Sequence, residues 1–596
     1  MECRRGLAVA LLCLAAATAA HATPAPPDRA EADARATAAV LAAIRPRLPP
    51  ALIETLDAGV RIEWRDDLRA GVDGHFRAGT IALRRGLLPE AISPAADAAS
   101  APLGRAVLAA FVHELAHAWD RSTAGGASRD PRLLDLAGWS ATPLHARLRR
   151  NPFRDRTPDA YELSSPAEFV AVNLEHFVLD PGYGCRRPAL AAYLRQRTRA
   201  IARGPACDPP AFARPSTQGS ADPSPLLALD PSRVYAVDYL LAEPDAHPMS
   251  RWGHAMLRLV VCAPGRAPGP DCRLDIAWHE VLSFRAFVDD VQVSSWRGLT
   301  GGYPARLFVL PLPQVIEDYT KVELRALRSV PLRLSPAEIA SLLDRAAQVH
   351  WSYDGRYRFV DNNCAVETWR LLHDGVPRLA QAPLSSLTPT GLLARLERAG
   401  VADGSVLGDP DRARRDGYRF DSMADHLQAM LDAARATLPI PQARVRDWLA
   451  RPAAERAGWF ERADLRATAA LLVLENAALR REEVRAMDAI KHRVGSGHRA
   501  TSDDTALHDA LELAARLSRP AALLAGGGYG LPDADERARV GPRLAEAAAD
   551  WDARTTALRR LGEQALPRAR RESLAAVRAN VELLGARLRA QARDAT

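Results

Sequence analysis

The chain has 596 residues, 48% of them hydrophobic and 25% charged, a globular composition long enough for about three to four domains. Its net charge of +7 comes from arginines interleaved with carboxylates. No nucleic-acid fold signature accompanies that charge, so no nucleic-acid partner is expected. Beyond its start, the chain has no run approaching the ~18 apolar residues of a membrane helix, and the mature protein is expected to lack a transmembrane segment.

The first 22 residues read as a signal peptide. Arg4 and Arg5 precede an apolar run from Leu7 to Ala20, and Ala20-His21-Ala22 supplies a small-x-small cleavage pattern. The reading implies export, with a periplasm as the expected compartment. Two of the seven cysteines leave with that segment, and Cys185, Cys207, Cys262, Cys272 and Cys364 remain. Cys185–Cys207 and Cys262–Cys272 are the local pairs that suggest themselves in an oxidising compartment. Cys364 is then the odd thiol, a candidate for reactivity.

Residues 28–210 read as one unit, opening with helical periodicity over 29–45 and short strands over 60–64 and 80–83. Helices are predicted over about 103–121 and 166–178. The first of these carries His113-Glu114-Leu115-Ala116-His117. Histidines four apart share one face of a helix, so both imidazoles can bind one zinc ion. Glu114 sits beside them, placed to take a proton from a water that the ion polarises. A third ligand is required, and Glu168 in Ser165-Pro166-Ala167-Glu168 is the candidate. A competing role for Glu168 is a capping box, with Ser165 as N-cap and Pro166 at the first helical position.

This stretch resembles the HExxH-plus-Glu peptidases related to anthrax lethal factor and to the Mtf-type bacterial peptidases. The resemblance implies a zincin-like domain with His113, His117 and Glu168 as zinc ligands and Glu114 as general base. It also implies Tyr161, seven residues before Glu168, as an oxyanion donor.

A Pro-, Ser- and Asp-rich stretch over 211–232 reads as a linker. Residues 233–400 read as an α+β unit with strands at 234–241, 255–261, 274–278, 306–310 and 321–326, a helix after Pro336 and another carrying Cys364. Two motifs stand out: Arg251-Trp252-Gly253-His254 at a strand start, and Asn362-Asn363-Cys364 at a helix start. Either asparagine can cap the helix and place Cys364 in its first turn. The helix N-terminus is expected to favour the thiolate, and a neighbouring histidine can shuttle its proton. First-turn N–H groups can contribute to an oxyanion hole.

The His-strand, Asn-Cys-helix order resembles the circularly permuted NlpC/P60 papain-like fold. More closely, it resembles the Lnb N-terminal periplasmic domain, the module of lipoprotein intramolecular transacylases. The resemblance implies Cys364 as nucleophile, His254 as general base and a thioester intermediate. His279, Asp238 and Asn363 remain alternatives for a third, orienting group.

Residues 410–596 read as an all-α region, with helical spacing over 464–488, 503–519 and 535–595. The expected protein is an α+β multidomain hydrolase. It would act as a thiol acyl hydrolase or transferase on a cell-envelope peptide, lipoprotein or acyl substrate, with zinc in its first domain. Two other readings are a zinc metallopeptidase whose cysteine domain only binds substrate, and a non-catalytic envelope scaffold.

Overall fold

A computed structural model describes residues 27–89, 104–142, 145–202, 204–214, 216–245, 251–286, 303–358, 362–495, 519–524 and 526–594. The expected signal peptide and most of the helix expected over 503–519 lie outside these residues. The chain divides into two compact units, Met1–Trp119 and Asp120–Thr596.

In the first unit, α1 (Pro27–Ile44) and α2 (Pro50–Asp57) precede a three-stranded sheet of β1 (Arg61–Arg65), β2 (Gly74–Arg77) and β3 (Thr80–Arg84). Its order is β1-β3-β2, with β1 and β3 parallel and β2 antiparallel to β3. Trp64 is buried, and its indole N–H donates to Thr37 Oγ1 at 2.9 Å, tying β1 to α1. Helix α3 (Arg105–Arg121) carries the HExxH sequence and continues into the second unit.

The second unit begins with α4 (Pro131–Ala137), the hairpin β4 (Ser140–Thr142) and β5 (His145–Arg150), α5 (Pro166–Leu179) and α6 (Pro188–Thr198). The stretch expected to be a linker is instead partly structured. Strands β6 (Ala211–Ala213) and β7 (Leu226–Ala228) pair in antiparallel fashion, and Phe212 is fully buried. A buried aromatic and a ladder of backbone bonds outweigh the loop-like composition around them.

The core of the second unit is an antiparallel seven-stranded sheet built from β8 (Val234–Ala242), β9 (His254–Val261), β10 (Glu280–Ala286), β11 (Tyr303–Pro311), β12 (Leu327–Pro331), β13 (Gly355–Tyr357) and β14 (Arg419–Phe420). Their order is β13-β11-β10-β9-β8-β12-β14. The central strands are buried along nearly their whole length, as in β9, because both faces are covered. Helices α7 (Pro336–Ser352) and α8 (Cys364–Gly375) contribute Leu342, Leu343, Ala346, Leu371 and Leu372 to the core on one face. Leu312, Val315 and Tyr319 cover the other.

Two expected strands differ. Residues 274–278 fall in 3-10 turns after the Cys262–Cys272 bridge. Residues 317–322 form a π-helical turn, and the neighbouring strand starts only at Leu327. The β-branched and aromatic residues that suggested strands there are used to pack turns. After α9 (Pro389–Arg398), the last region holds α10 (Met423–Arg435), α11 (Leu465–Gly495), α12 (Ala534–Ala565) and α13 (Arg568–Asp594). It is not wholly helical, since β14 adds an edge strand to the sheet against β12. Among the described residues, no helix is long and apolar enough to cross a membrane.

Candidate functional site

In the first unit, α3 puts His113 and His117 on one face. A ring nitrogen of each lies within 4.8 Å of the other, and the ring centroids are 5.0 Å apart. Two imidazoles at that separation fit a single zinc ion. Glu114 is 6% exposed and seats against β2. Gly74 makes room for it, since a Cβ there would stand 2.7 Å from Glu114 Cγ. Burial raises the Glu114 pKa, opposed by the charges of His113 and His117 and by the Phe76 backbone.

Glu168 and Tyr161 belong to the second unit. Ser165 Oγ accepts from the Glu168 backbone N–H at 3.2 Å and caps α5. The reciprocal bond that completes a capping box is present at Ser335 and Glu338 on α7, but α5 has only the serine half. Closing the cap is therefore not what occupies the Glu168 carboxylate. Tyr161 lies in a 3-10 turn and is 52% exposed.

The cysteine site sits where β9 starts and α8 begins. Asn363, rather than Asn362, caps α8: its Oδ1 accepts from the N–H groups of Ala365 at 3.0 Å and Val366 at 3.3 Å. Its Nδ2 donates to the Leu387 carbonyl at 2.9 Å. Cys364 is a buried free thiol, while Cys185–Cys207 and Cys262–Cys272 are disulfides, the pairing expected from the sequence. The Cys364 backbone N–H donates to the Tyr357 hydroxyl at 3.3 Å.

Burial raises the Cys364 pKa above the ordinary thiol value. Hydrogen bonds from the Ala255 N–H, the Tyr357 side chain and the Ala365 N–H pull in the opposite direction without overcoming it. Desolvation thus outweighs the helix terminus, and the resting group is a thiol rather than the thiolate expected from its position.

His254 opens β9. Gly253 before it has φ +85°, and a Cβ there would stand 2.6 Å from the Ala242 carbonyl oxygen. The glycine of the motif is therefore a steric requirement for the strand to start where it does. The His254 ring stacks on Tyr319 at 6.0 Å, and its Nε2 lies 3.1 Å from Ser283 Oγ on β10. It makes no hydrogen bond to Cys364 in this arrangement. Burial and then the charges of Arg285 and Arg325 lower its pKa to about 3, so the imidazole is neutral. His254, Tyr319 and Tyr357 line a cavity of about 330 Å³ together with Arg285, Asp318 and Glu323.

All three proposed orienting groups are committed elsewhere, Asn363 to the cap of α8 and the Leu387 carbonyl. Asp238 pairs with Arg273 at 2.6 Å and accepts from Ser329 at 2.7 Å. His279 takes a bond from Arg258 at 2.9 Å and meets the Cys272 carbonyl at 2.8 Å. Ser283 is the residue that meets the His254 ring, and Tyr357 meets Cys364; the sequence singled out neither. One serine in a strand and one tyrosine before a motif carry no spacing signal. Only the register of β10 against β9, with Ser283 opposite Met256, brings that hydroxyl beside His254.

Comparison with known families adds two matches. Residues 222–399 match the Lnb N-terminal periplasmic domain. Residues 27–127 and 126–203 match a domain of unknown function, DUF7844, which includes the HExxH helix and Glu168. No curated protein and no solved structure matches the chain.

Proposed function

We propose that the 330 Å³ cavity is the active site of a periplasmic cysteine acyl hydrolase or transferase acting on a cell-envelope substrate. One observation carries the reading: consecutive residues of β9 serve both reacting groups. The His254 side chain lines the cavity and is anchored by Ser283, while the Ala255 N–H bonds the Cys364 thiol. The match of residues 222–399 to a periplasmic domain family supports the compartment.

In this mechanism the Cys364 sulfur adds to the substrate carbonyl carbon as its proton passes to His254. Ser283 holds Nε2, which directs Nδ1 toward the transferred proton. The carbonyl π pair moves onto oxygen, where first-turn N–H groups of α8 stabilise it. Collapse breaks the bond to the leaving group, which departs with the proton from His254. The resulting thioester is then attacked by water or an acceptor nucleophile, with His254 again taking the proton; collapse breaks the C–S bond, and the Cys364 sulfur recovers its proton from His254. Because His254 rests neutral and Cys364 rests as a thiol, proton transfer accompanies attack. An acyl probe directed at thiols tests the reading. Cys364 should label, and His254→Ala should label far more slowly; undiminished labelling of that variant removes the dyad.

A second reading rests on the pair of imidazoles on α3. We propose His113, His117 and Glu168 as ligands of a zinc ion, with Glu114 as base and Tyr161 as oxyanion donor of a metallopeptidase. The ion would supply Lewis acidity toward a peptide carbonyl. Glu114 would accept a proton, and its seat against β2 fixes where it does so. Metal analysis of the wild type and His117→Ala tests this, and absence of zinc from both removes it.

A further inference from the structure

Strand β10 passes His254 with two polar side chains on one face. Ser283 and Arg285 are two residues apart, so the strand turns both toward the same side of the sheet. Ser283 Oγ lies 3.1 Å from His254 Nε2, and Arg285 Nε donates to the same oxygen at 3.3 Å. Ser283 is fully buried, while Arg285 lines the cavity beside His254.

A serine oxygen offers two lone pairs and one proton. Arg285 takes one lone pair. With Nδ1 of His254 receiving the Cys364 proton, Nε2 carries the ring's hydrogen and donates it to the other. Two N–H donors then meet on one neutral oxygen, and one of them belongs to a permanent cation. Once His254 holds the second proton, an imidazolium and a guanidinium face each other across Ser283. A like charge so close disfavours the protonated ring.

A second cation, Arg325, lies 5.3 Å from the ring centre of Tyr319, which itself stacks on His254. Its charge is locally compensated. Nη1 donates to Glu323 at 2.6 Å, and Nε and Nη2 donate to the carbonyls of Glu243 and Ala242 at 2.7 and 3.3 Å. Arg285 lacks such compensation. Among the described residues its one ion pair is with Asp318, at 4.0 Å, on the π-helical turn that also borders the cavity. The ranking of effects on the ring agrees: burial comes first in keeping His254 unprotonated, then Arg285, then Arg325.

We infer that Arg285 is a positioning residue of the Cys364–His254 dyad: it pins Ser283 and sets a positive charge beside the imidazolium, so that the proton taken from Cys364 passes on to the leaving group. The inference rests on the acyl-transfer reading above. In the step concerned, the bond from the carbonyl carbon to the leaving atom breaks, its electron pair goes to that atom, and the Nδ1 proton of His254 joins it. A more acidic imidazolium helps most where the leaving group departs poorly as an anion. Arg285 therefore matters more for a basic leaving group than for a stable one.

The test is acylation of Cys364 in the full chain by two aryl esters, followed as phenol release in a single turnover. p-Nitrophenyl acetate expels a stable phenolate that needs little protonation, and phenyl acetate expels a more basic one. Arg285→Gln should slow acylation by phenyl acetate several-fold more than acylation by p-nitrophenyl acetate. Arg285→Lys keeps the charge and should return the ratio of the two rates toward the wild-type value. Asp318→Asn removes the counter-charge and should move the ratio the opposite way, a reversal that a merely structural role does not produce. In a Ser283→Ala background, Arg285→Gln should change the ratio less than it does alone. Equal slowing of both esters by Arg285→Gln, or no difference between Arg285→Lys and Arg285→Gln, overturns the inference; if Arg285→Gln does not fold, an unchanged ratio in Asp318→Asn does so. In those cases a slow His254→Ala leaves the dyad standing, whereas His254→Ala acylating at the wild-type rate removes the dyad and the inference together.

Discussion

His254 Nε2 lies 3.1 Å from the Ser283 hydroxyl, across neighbouring strands of one sheet. The serine fixes the ring plane and occupies the nitrogen that would otherwise be a second site for a proton. Replacing the base and replacing its anchor should therefore have unequal effects. His254→Ala is expected to slow acylation of Cys364 by about 10²–10⁴-fold, the usual worth of a general base. Ser283→Ala removes one neutral hydrogen bond of ~1 kcal/mol and should cost roughly fivefold. Single-turnover acylation rates of the two variants check both, and equal losses would contradict an anchoring role for Ser283.

Tyr357 touches Cys364 twice, through the backbone N–H and through the thiol. Tyr357→Phe keeps the ring and removes the hydroxyl. Thiolate formation should fall roughly tenfold, since a hydrogen bond to a charged group is worth about 1.5 kcal/mol. Iodoacetamide rates against pH give the readout. In the wild type the rate should climb through the ordinary thiol value near ~8.5 and beyond, with no inflection around neutrality from His254. The variant's curve should lie further to the alkaline side.

Three buried histidines rest neutral, with pKa values lowered from 6.5 to about 3 for His254 and His279 and about 4 for His350. His350 shows why: Nε2 accepts from the Ala213 N–H at 3.0 Å and Nδ1 donates to the Leu307 carbonyl at 3.0 Å, so a further proton must break the first bond. Below pH 6.5 the unfolded chain binds protons that the fold refuses. Stability should fall with pH from there, by ~1.4 kcal/mol per unit for each such group. Glu280 works the other way between about 7 and its ordinary 4.5, because burial raises its folded value. The melting temperature should drop between pH 6.5 and 4.5. His350→Gln should flatten that slope, and an unchanged slope would exclude His350 from the effect.

Asp238 sits fully buried between Arg273 and Arg258, the latter 3.8 Å away. Asp238→Ala strands two buried guanidinium groups and should destabilise the second unit by about 3–5 kcal/mol in urea unfolding. Below the denaturation midpoint, the folded fraction should still label at Cys364, because Asp238 holds the sheet and not the imidazole. Loss of labelling in fully folded protein would return Asp238 to the site.

For the α3 pair, zinc removal by a chelator and substitution should agree. His113→Ala and His117→Ala should both abolish stoichiometric zinc, while Glu114→Gln should retain it and lose any peptidase activity. Retention of zinc by both histidine variants would show that the metal is held elsewhere.

Much of this site was legible because its parts are local. The spacing of His113 and His117, the Asn363 cap and the position of Cys364 depend on one helical turn each, and a single sequence records such periodicity. The disulfide pairs followed from short separations and an odd count. What escaped reading depends on long-range register. Ser283 reaches His254 only through strand pairing, and β14 reaches the sheet after a long helical detour. The Cys364 pKa was misjudged for a related reason: the helix terminus is visible in sequence, but the depth of burial that outweighs it is set by residues on β9 and β13. The strand expected at 321–326 failed because a π-helical turn has no short pattern to announce it.

The start of β9 has an evolutionary consequence. Gly253, His254 and Ala255 are three successive residues with three separate duties: a backbone bend that tolerates no side chain, a proton acceptor and an N–H aimed at sulfur. An insertion or deletion of one residue in this segment would turn His254 to the opposite face of the sheet and shift the N–H away from Cys364 together. Point substitution can tune the site by degrees, whereas a change in length would remove it in one step.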